Sequence, residues 1–168
     1  MKIRILTEED ASIYQACRLH ALKTNPEAFS STYEREAAFS IETVEERIRP
    51  SSDKFVLGAF DEKETLVGLV TFFRETGLKT NHKANVYGMY VEPEARGKGV
   101  AKYLMQELIK KAKECDGVEQ LLLTVVQGNV SAKRLYVSLG FEVYGVERNA
   151  LKVHGEYLDE DWMVLFLN

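Results

Sequence analysis

Three runs rich in Val, Phe and Leu, Lys54 to Phe60, Leu66 to Arg74 and Ala84 to Glu92, follow one another with only short polar breaks, Asp61-Glu62-Lys63-Glu64 and the stretch from Gly77 to Lys83. Apolar runs of this length bounded by polar or glycine-containing breaks predict strands, and breaks this short allow an antiparallel return but not a crossover helix. An antiparallel meander is therefore expected at the centre of the chain, and everything else must pack on it.

The flanks read as mixed elements. Lys2 to Leu6 alternates as a short strand, and Thr7-Glu8-Glu9-Asp10 looks like an acidic helix start. That helix should run to about Lys23 and end before Asn25-Pro26, because the residue preceding a proline is pushed out of the α region. Glu27 to Phe39 shows no clear periodicity, and Ser40 caps a short helix to about Arg49. Beyond the meander, Val100, Ala101, Leu104, Met105, Leu108, Ala112 and Cys115 recur at helical spacing and mark Gly97 to Glu114 as an amphipathic helix. Gln120 to Val126 is an apolar strand, Asn129 to Leu139 a short helix closed by Gly140, and Phe141 to Lys152 and Tyr157 to Leu167 are two last strands. The order β, α, α, β, β, β, α, β, α, β, β predicts one α/β (α+β) domain over residues 1–168 with a mixed sheet. A doubly wound fold would alternate more regularly.

Composition narrows the function. The 168 residues are 45% hydrophobic with a formal net charge of −4, enough for a real core but without the basic surplus that grips DNA or an anionic membrane. The two cysteines, Cys17 and Cys115, belong to no CxxC or Cys/His cluster, so neither a disulfide framework nor a metal site is expected. The amino terminus has too short an apolar run for a signal peptide, and no stretch approaches the roughly 18 apolar residues of a membrane span. A cytoplasmic address is expected.

The most informative stretch is Val91-Glu92-Pro93-Glu94-Ala95-Arg96-Gly97-Lys98-Gly99-Val100-Ala101, a strand passing through a proline turn into a glycine-rich helix start. Bare amides at a helix N-terminus, with Arg96 and Lys98 beside them, form an anion site suited to a phosphate or pyrophosphate. The alternative is a turn that merely reverses the strand into a helix. A GxxxxGK[ST] loop is absent, and a dinucleotide fingerprint fails at Lys102, where its third glycine should stand.

Arg96-Gly97-Lys98-Gly99-Val100-Ala101 instead resembles the R/Q-x-x-G-x-G/A coenzyme A loop of the GNAT superfamily, the Gcn5-related N-acetyltransferases, and Met89-Tyr90-Val91-Glu92-Pro93 resembles the strand that precedes it. Asn129-Val130-Ser131-Ala132-Lys133-Arg134-Leu135-Tyr136-Val137-Ser138-Leu139-Gly140-Phe141 is similar to that family's N-x-x-A-x-x-L-Y-x-x-x-G-F signature at every fixed position. The resemblance implies a seven-stranded, mostly antiparallel sheet flanked by four helices, with acetyl-CoA in a V-shaped cleft between the fourth and fifth strands. It implies that the backbone of Met89, Tyr90 and Val91 aligns the pantetheine arm and that the amides of Gly97, Lys98, Gly99, Val100 and Ala101, beside Arg96, hold the pyrophosphate. Asn129 becomes a coenzyme contact as well as a helix cap, and Tyr136 the general acid at the departing thiolate. No metal is implied.

The implied reaction is direct attack by a neutral primary amine, of a small molecule or a peptide, with a backbone N–H near Val91 facing the developing oxyanion. At pH 7 the neutral form of a lysine-like amine costs about 4.6 kcal/mol and that of an α-amino group roughly 1 kcal/mol, so a base matters more for the former. Glu34, Glu36 and Glu92 are candidates, and each also reads as a solvated carboxylate. Asn25 to Glu34 and His154 to Asp161 should shape the acceptor side, their carboxylates either favouring a cationic amine or forming an exposed loop. His82 and His154 read as turn or surface residues, and His20 as a packed or exposed position on the first helix. Family members are monomers or homodimers, and Trp162 to Leu167 reads either as a dimer contact or as a central strand. A different class, a catalytically idle acyl-CoA-binding or regulatory domain, keeps the same coenzyme loop.

Overall fold

The computed structural model describes residues 1–168. Its strands are β1 (Lys2–Ile5), β2 (Lys54–Phe60), β3 (Leu66–Arg74), β4 (Lys83–Val91), β5 (Gln120–Val126), β6 (Glu142–Val153) and β7 (Glu156–Phe166). Its helices are α1 (Ala11–Thr24), α2 (Tyr33–Ala37), α3 (Ile41–Ile48), α4 (Val100–Glu114) and α5 (Val130–Ser138). The seven strands form one sheet in the order β1-β2-β3-β4-β5-β7-β6, antiparallel except where β4 meets β5. The expected meander is β2-β3-β4, with β2 and β3 at their expected bounds.

The parallel junction shapes the molecule. β4 and β5 pair only over Lys83 to Asn85 and Gln120 to Leu122. Past that point β4 keeps its partner β3 as far as Val91 while β5 keeps β7 as far as Val126, so the two strands diverge and the sheet opens. A bulge sits beside the opening: Leu69 faces Tyr90 and Thr71 faces Tyr87, so Val70 stands opposite both Gly88 and Met89. Gly88 takes φ +61° there, a left-handed conformation that L side chains rarely adopt.

Two apolar cores hold the sheet from its two faces. One joins Phe55, Leu57, Val70 and Phe72 to Val100, Leu104, Met105, Leu108 and Ala112 of α4. Leu104, Met105 and Leu108 are fully enclosed, a burial worth roughly 1.5–3 kcal/mol each, which pins the N-terminus of α4 against the mouth of the opening. The other gathers Tyr14, Cys17 and Ala21 of α1 and Val44 and Ile48 of α3 against Val56, Leu69 and Tyr90.

The four expected helices are α1, α3, α4 and α5; the five-residue α2 inside Glu27 to Phe39 is an addition to them, and Thr32 caps it by accepting from the Arg35 amide at 3.2 Å. Its one buried side chain is Glu36, so no apolar period could mark it. A 3-10 turn, Glu8–Asp10, precedes α1, where the Asp10 carboxylate accepts from the Thr7 amide and from both terminal nitrogens of Arg4, each at 2.8 Å. β7 is interior, between β5 and β6, which accords with the central-strand reading of Trp162 to Leu167. Both cysteines are free; Cys17 is buried, and Cys115 lies just past α4. No helix is long and apolar enough to cross a membrane.

Candidate functional site

The opening between β4 and β5 leads into a cavity of about 730 Å³ lined by β4, the loop into α4, α5 and the segment after α1. At its wide end the chain leaves β4 through a Pro93–Ala95 turn and enters α4 through Gly97 (φ +75°) and Gly99 (φ +80°). Both values belong to the left-handed region, and at Gly99 an added Cβ would also meet the Tyr103 ring at 3.2 Å. The result is a run of six consecutive amides, Gly97 to Lys102, none of which donates to a backbone or side-chain acceptor in the protein. Three belong to the first turn of the helix, where the macrodipole adds positive potential. Consecutive amide donors with no protein acceptor, five of their six residues lining the cavity, suit a multiply charged oxyanion.

Arg96 locks this loop rather than hanging free. Its Nε donates to the Val91 carbonyl at 2.9 Å, its Nη2 donates to Asn25 Oδ1 at 2.8 Å, and its guanidinium lies over the Tyr90 ring. Lys98 is exposed and does not line the cavity, whereas Lys102 does. Met89, Tyr90, Val91, Arg96, Gly97, Gly99, Val100, Ala101, Asn129 and Tyr136 all line it, so ten of the eleven residues singled out from sequence share one space.

The edge of β4 points the right way for a peptide-like ligand. The Glu92 amide donates to the Val67 carbonyl, and β4 runs antiparallel to β3 with Val91 opposite Gly68. Hydrogen-bonded and non-bonded pairs alternate in such a ladder, so the Val91 amide and carbonyl face away from β3, into the opening. The Arg96 bond to that carbonyl agrees.

On the far wall, Asn129 caps α5 by accepting from the Ala132 amide at 3.3 Å. The helix ends at a turn in which the Phe141 amide donates to the Tyr136 carbonyl at 3.0 Å and Gly140 takes φ +99°. Phe141, 2% exposed, then packs its edge on the Tyr136 ring, centroids 5.9 Å apart. The glycine and phenylalanine of the second motif therefore orient the tyrosine. Tyr136 is buried, its hydroxyl makes no hydrogen bond to the protein, and burial pushes the phenol up to about 12. Lys133 fixes α5 from outside by pairing with the buried Asp161 of β7 at 2.5 Å, and Gln127 Nε2 donates to the same carboxylate at 3.0 Å. Those partners hold the Asp161 carboxyl below its usual range.

The carboxylates considered as bases separate. Glu34 is exposed and outside the cavity lining. Glu36 is completely buried: Arg18 Nε and Nη2 donate to its two oxygens at 3.0 and 2.9 Å, and Arg47 pairs with it as well. Burial pushes this carboxyl up, but the Arg18 and Ser31 hydrogen bonds and the two guanidinium charges outweigh it and bring it down to about 2. A carboxylate so stabilised is no base near neutral pH. Glu92 lies 2.6 Å from His20 Nδ1 and accepts from the Tyr90 hydroxyl at 3.2 Å. Sequence reasoning could not bring His20 to Glu92, because the contact is made only by packing α1 on β4.

From the acceptor segments, Asn25, Glu27, Ala28, Phe29 and Leu158 reach the cavity. The acidic run before Trp162 supplies little free charge to it: Asp161 is paired, and Asp159 Oδ1 accepts from the Asn149 amide at 2.8 Å. His154 forms the β6–β7 turn with Gly155, both at positive φ as a two-residue hairpin requires, and His82 accepts the Glu119 amide with its carbonyl. Arg18 and Gly88, both beside the narrow end of the opening, carried no sequence signal.

Comparisons with known proteins agree with this architecture. The model of the Acetyltransferase (GNAT) family matches residues 15–141. The chain is 32% identical over 137 residues to mycothiol acetyltransferase of Brachybacterium faecium, covering 81% of this chain and 39% of that protein. It is 31% identical over 98 residues to an L-amino acid N-acetyltransferase of Escherichia coli, covering 58% of this chain and 60% of that one. The chain thus spans about two fifths to three fifths of the curated relatives it matches. A phosphinothricin acetyltransferase of the GNAT superfamily from Sinorhizobium meliloti, solved in complex with acetyl-CoA, superposes with a TM-score of 0.83 at 21% identity over 99% of this chain and 88% of that one.

Proposed function

The chain belongs to the GNAT family of acetyltransferases, and from that membership we propose that it is an enzyme transferring the acetyl group of acetyl-CoA to the primary amine of a small molecule, within one domain. The observation that carries the reading is the run of six unpartnered amides at the mouth of a cavity that continues along the free edge of β4 to Tyr136. The fit to acetyl-CoA is specific: two adjacent phosphates need converging N–H donors, a pantetheine arm resembles a peptide and can pair with the outward-facing Val91 groups, and a thioester then falls near the bulge and Tyr136. The relatives named for mycothiol and for L-amino acids support a small amine as acceptor.

Bound acetyl-CoA supplies an activated thioester to the incoming nitrogen. The amides of Gly97 to Lys102 hold its phosphates, with Arg96 fixing the loop and Asn129 contacting the coenzyme from the start of α5. The Val91 amide orients the acyl arm and offers a donor to the carbonyl oxygen as charge builds there. Tyr136, which lines the same cavity, would stand at the sulfur. A phenol that keeps its proton to about pH 12 would surrender it to the departing thiolate, whose thiol has an ordinary pKa near 8.5, only at a cost of roughly 5 kcal/mol. Its contribution as general acid is therefore a hydrogen bond that tightens as the thiolate forms, with the proton following late.

Calorimetric titration with acetyl-CoA, CoA, NADH and ATP, followed by a thiol-release screen over amino acids, polyamines, aminoglycosides and N-terminal peptides, tests the reading. Micromolar binding of both CoA species and turnover of a small amine are expected. Binding of ATP or NADH without CoA would overturn the cofactor assignment. CoA binding with no amine turned over would favour the idle acyl-CoA-binding domain.

A further inference from the structure

Arg18 is 6% exposed yet incompletely used. Its Nε and Nη2 are locked onto Glu36, while Nη1 makes no hydrogen bond to the protein. Gln15 Oε1 is enclosed without a partner; Arg18 Nη1 is not enclosed in that way, so it keeps access to open space. One face of the guanidinium lies over the Phe29 ring, 4.7 Å from its centroid, and Phe29 lines the cavity. The free nitrogen points at the bulge: a Cβ built on Gly88 would stand 3.6 Å from it. Gly88, three residues past the last β4–β5 pair, therefore sets no side chain against that nitrogen; Arg18 and Gly88 do not themselves line the cavity, but their neighbours Phe29 and Met89 do.

The local charge is unbalanced as well. Arg18 and Arg47 share the single carboxylate of Glu36, which leaves one positive charge in excess in a largely enclosed cluster. A rigid guanidinium with two donors fixed and one nitrogen free suits a planar anion, above all a carboxylate. The coenzyme's phosphates do not account for it. Their amide cradle begins at Gly97, and the three steps along β4 from Gly88 to Val91 alone span roughly 10 Å. An anion at Arg18 belongs to the second substrate.

We propose that Arg18 anchors a carboxylate of the acceptor, so that the acetylated amine is that of an amino acid or a close analogue. The inference rests on the acetyl-transfer reading. Glu36 and Phe29 act as positioning residues, one holding two guanidinium nitrogens, the other supporting the guanidinium face.

The test measures kcat/KM by thiol release for a series of L-amino acids, their carboxamides and the corresponding amines without a carboxylate, on the wild-type chain, on Arg18→Lys and on the Arg18→Gln/Glu36→Gln pair. Wild type should favour the carboxylate-bearing acceptors by roughly 10- to 100-fold, the range of one charge-assisted hydrogen bond. Both variants should bring that ratio near unity through KM for the acceptor, with KM for acetyl-CoA unchanged. Arg18→Lys keeps a charge beside Glu36 and so separates loss of the anchor from loss of the fold, which circular dichroism checks. Amines turned over by wild type without preference for a carboxylate would overturn this inference alone, as would a preference that survives in a folded variant. Turnover of no amine would overturn both readings.

Discussion

At the wide end of the cleft the donors come from six consecutive residues, Gly97 to Lys102, and are backbone amides; beside the narrow end, behind the residues that line the cavity, Arg18, Glu36, Arg47 and Gly88 are gathered from α1, α2, α3 and β4. The first region works whatever most of its side chains are, provided that two glycines keep their left-handed φ. The second works only while every member keeps its charge, because each guanidinium is buried or half-buried against the same carboxylate. Backbone-built sites therefore tolerate substitution and lose function by degrees. Side-chain clusters couple function to stability.

The largest effect is expected at Glu36. Glu36→Gln removes the one carboxylate between two guanidinium groups and should cost about 3–5 kcal/mol of unfolding free energy, read from urea denaturation. Acid should expose the same dependence in the wild type. The folded carboxyl titrates at about 2 and the ordinary value is 4.5, so its stabilisation is complete above pH 4.5 and declines as the pH falls toward 2. Over that window it amounts to about 3 kcal/mol, and Glu36→Gln should show correspondingly less acid sensitivity. An acid profile unchanged by the substitution would dissolve the contrast between the two ends.

Next comes Tyr136→Phe, which keeps the packing on Phe141 and removes only the hydroxyl. A fall in kcat of roughly 100-fold is expected, the lower range for a positioned acid, with KM for acetyl-CoA little changed and stability within about 1 kcal/mol. Because burial lifts the phenol to about 12, no loss of kcat attributable to its ionisation should appear below about pH 11. An unaltered kcat in the variant would make Tyr136 a core residue. Gly99→Ala follows: a left-handed φ costs an L residue roughly 1–2 kcal/mol, and if that strain is relieved by turning the amide run, calorimetry should show acetyl-CoA Kd raised about tenfold with the acceptor KM unmoved.

The contrast also explains what was legible in the sequence. The coenzyme side is written in contiguous strings, since a glycine pattern, a proline turn and an amphipathic stripe dictate local φ, ψ and burial by themselves; contiguous apolar runs likewise mark β2, β3 and β5 to the residue. The acceptor side is not, because its geometry is a product of packing. α2 escaped notice since its buried face is a glutamate rather than an apolar stripe. Glu36 read as a solvated carboxylate or a base because nothing near it in the chain announces Arg18 and Arg47. The bulge at Gly88 depends on pairing with β3, and Lys98, whose charge looked suited to a phosphate, is turned outward by the loop that leaves Lys102 at the cavity.

The smallest expected effect separates burial from pairing. His20 Nδ1 lies 2.6 Å from Glu92, closer than the 2.9 Å between Arg18 and Glu36, and on distance alone it should be the stronger contact. The His20 side chain is 47% exposed, however, against 7% for Arg18. Water that reaches an ion pair solvates its separated partners nearly as well as they solvate each other, whereas a charge stranded in the interior has no such recourse. His20→Gln should accordingly shift unfolding free energy by less than about 1 kcal/mol, measured beside Glu36→Gln in the same urea series. Equal losses in the two variants would mean that contact distance, rather than access of water, sets the strength of charge pairs on this side of the sheet, and the narrow end of the cleft would then owe its rigidity to something other than its enclosed carboxylate.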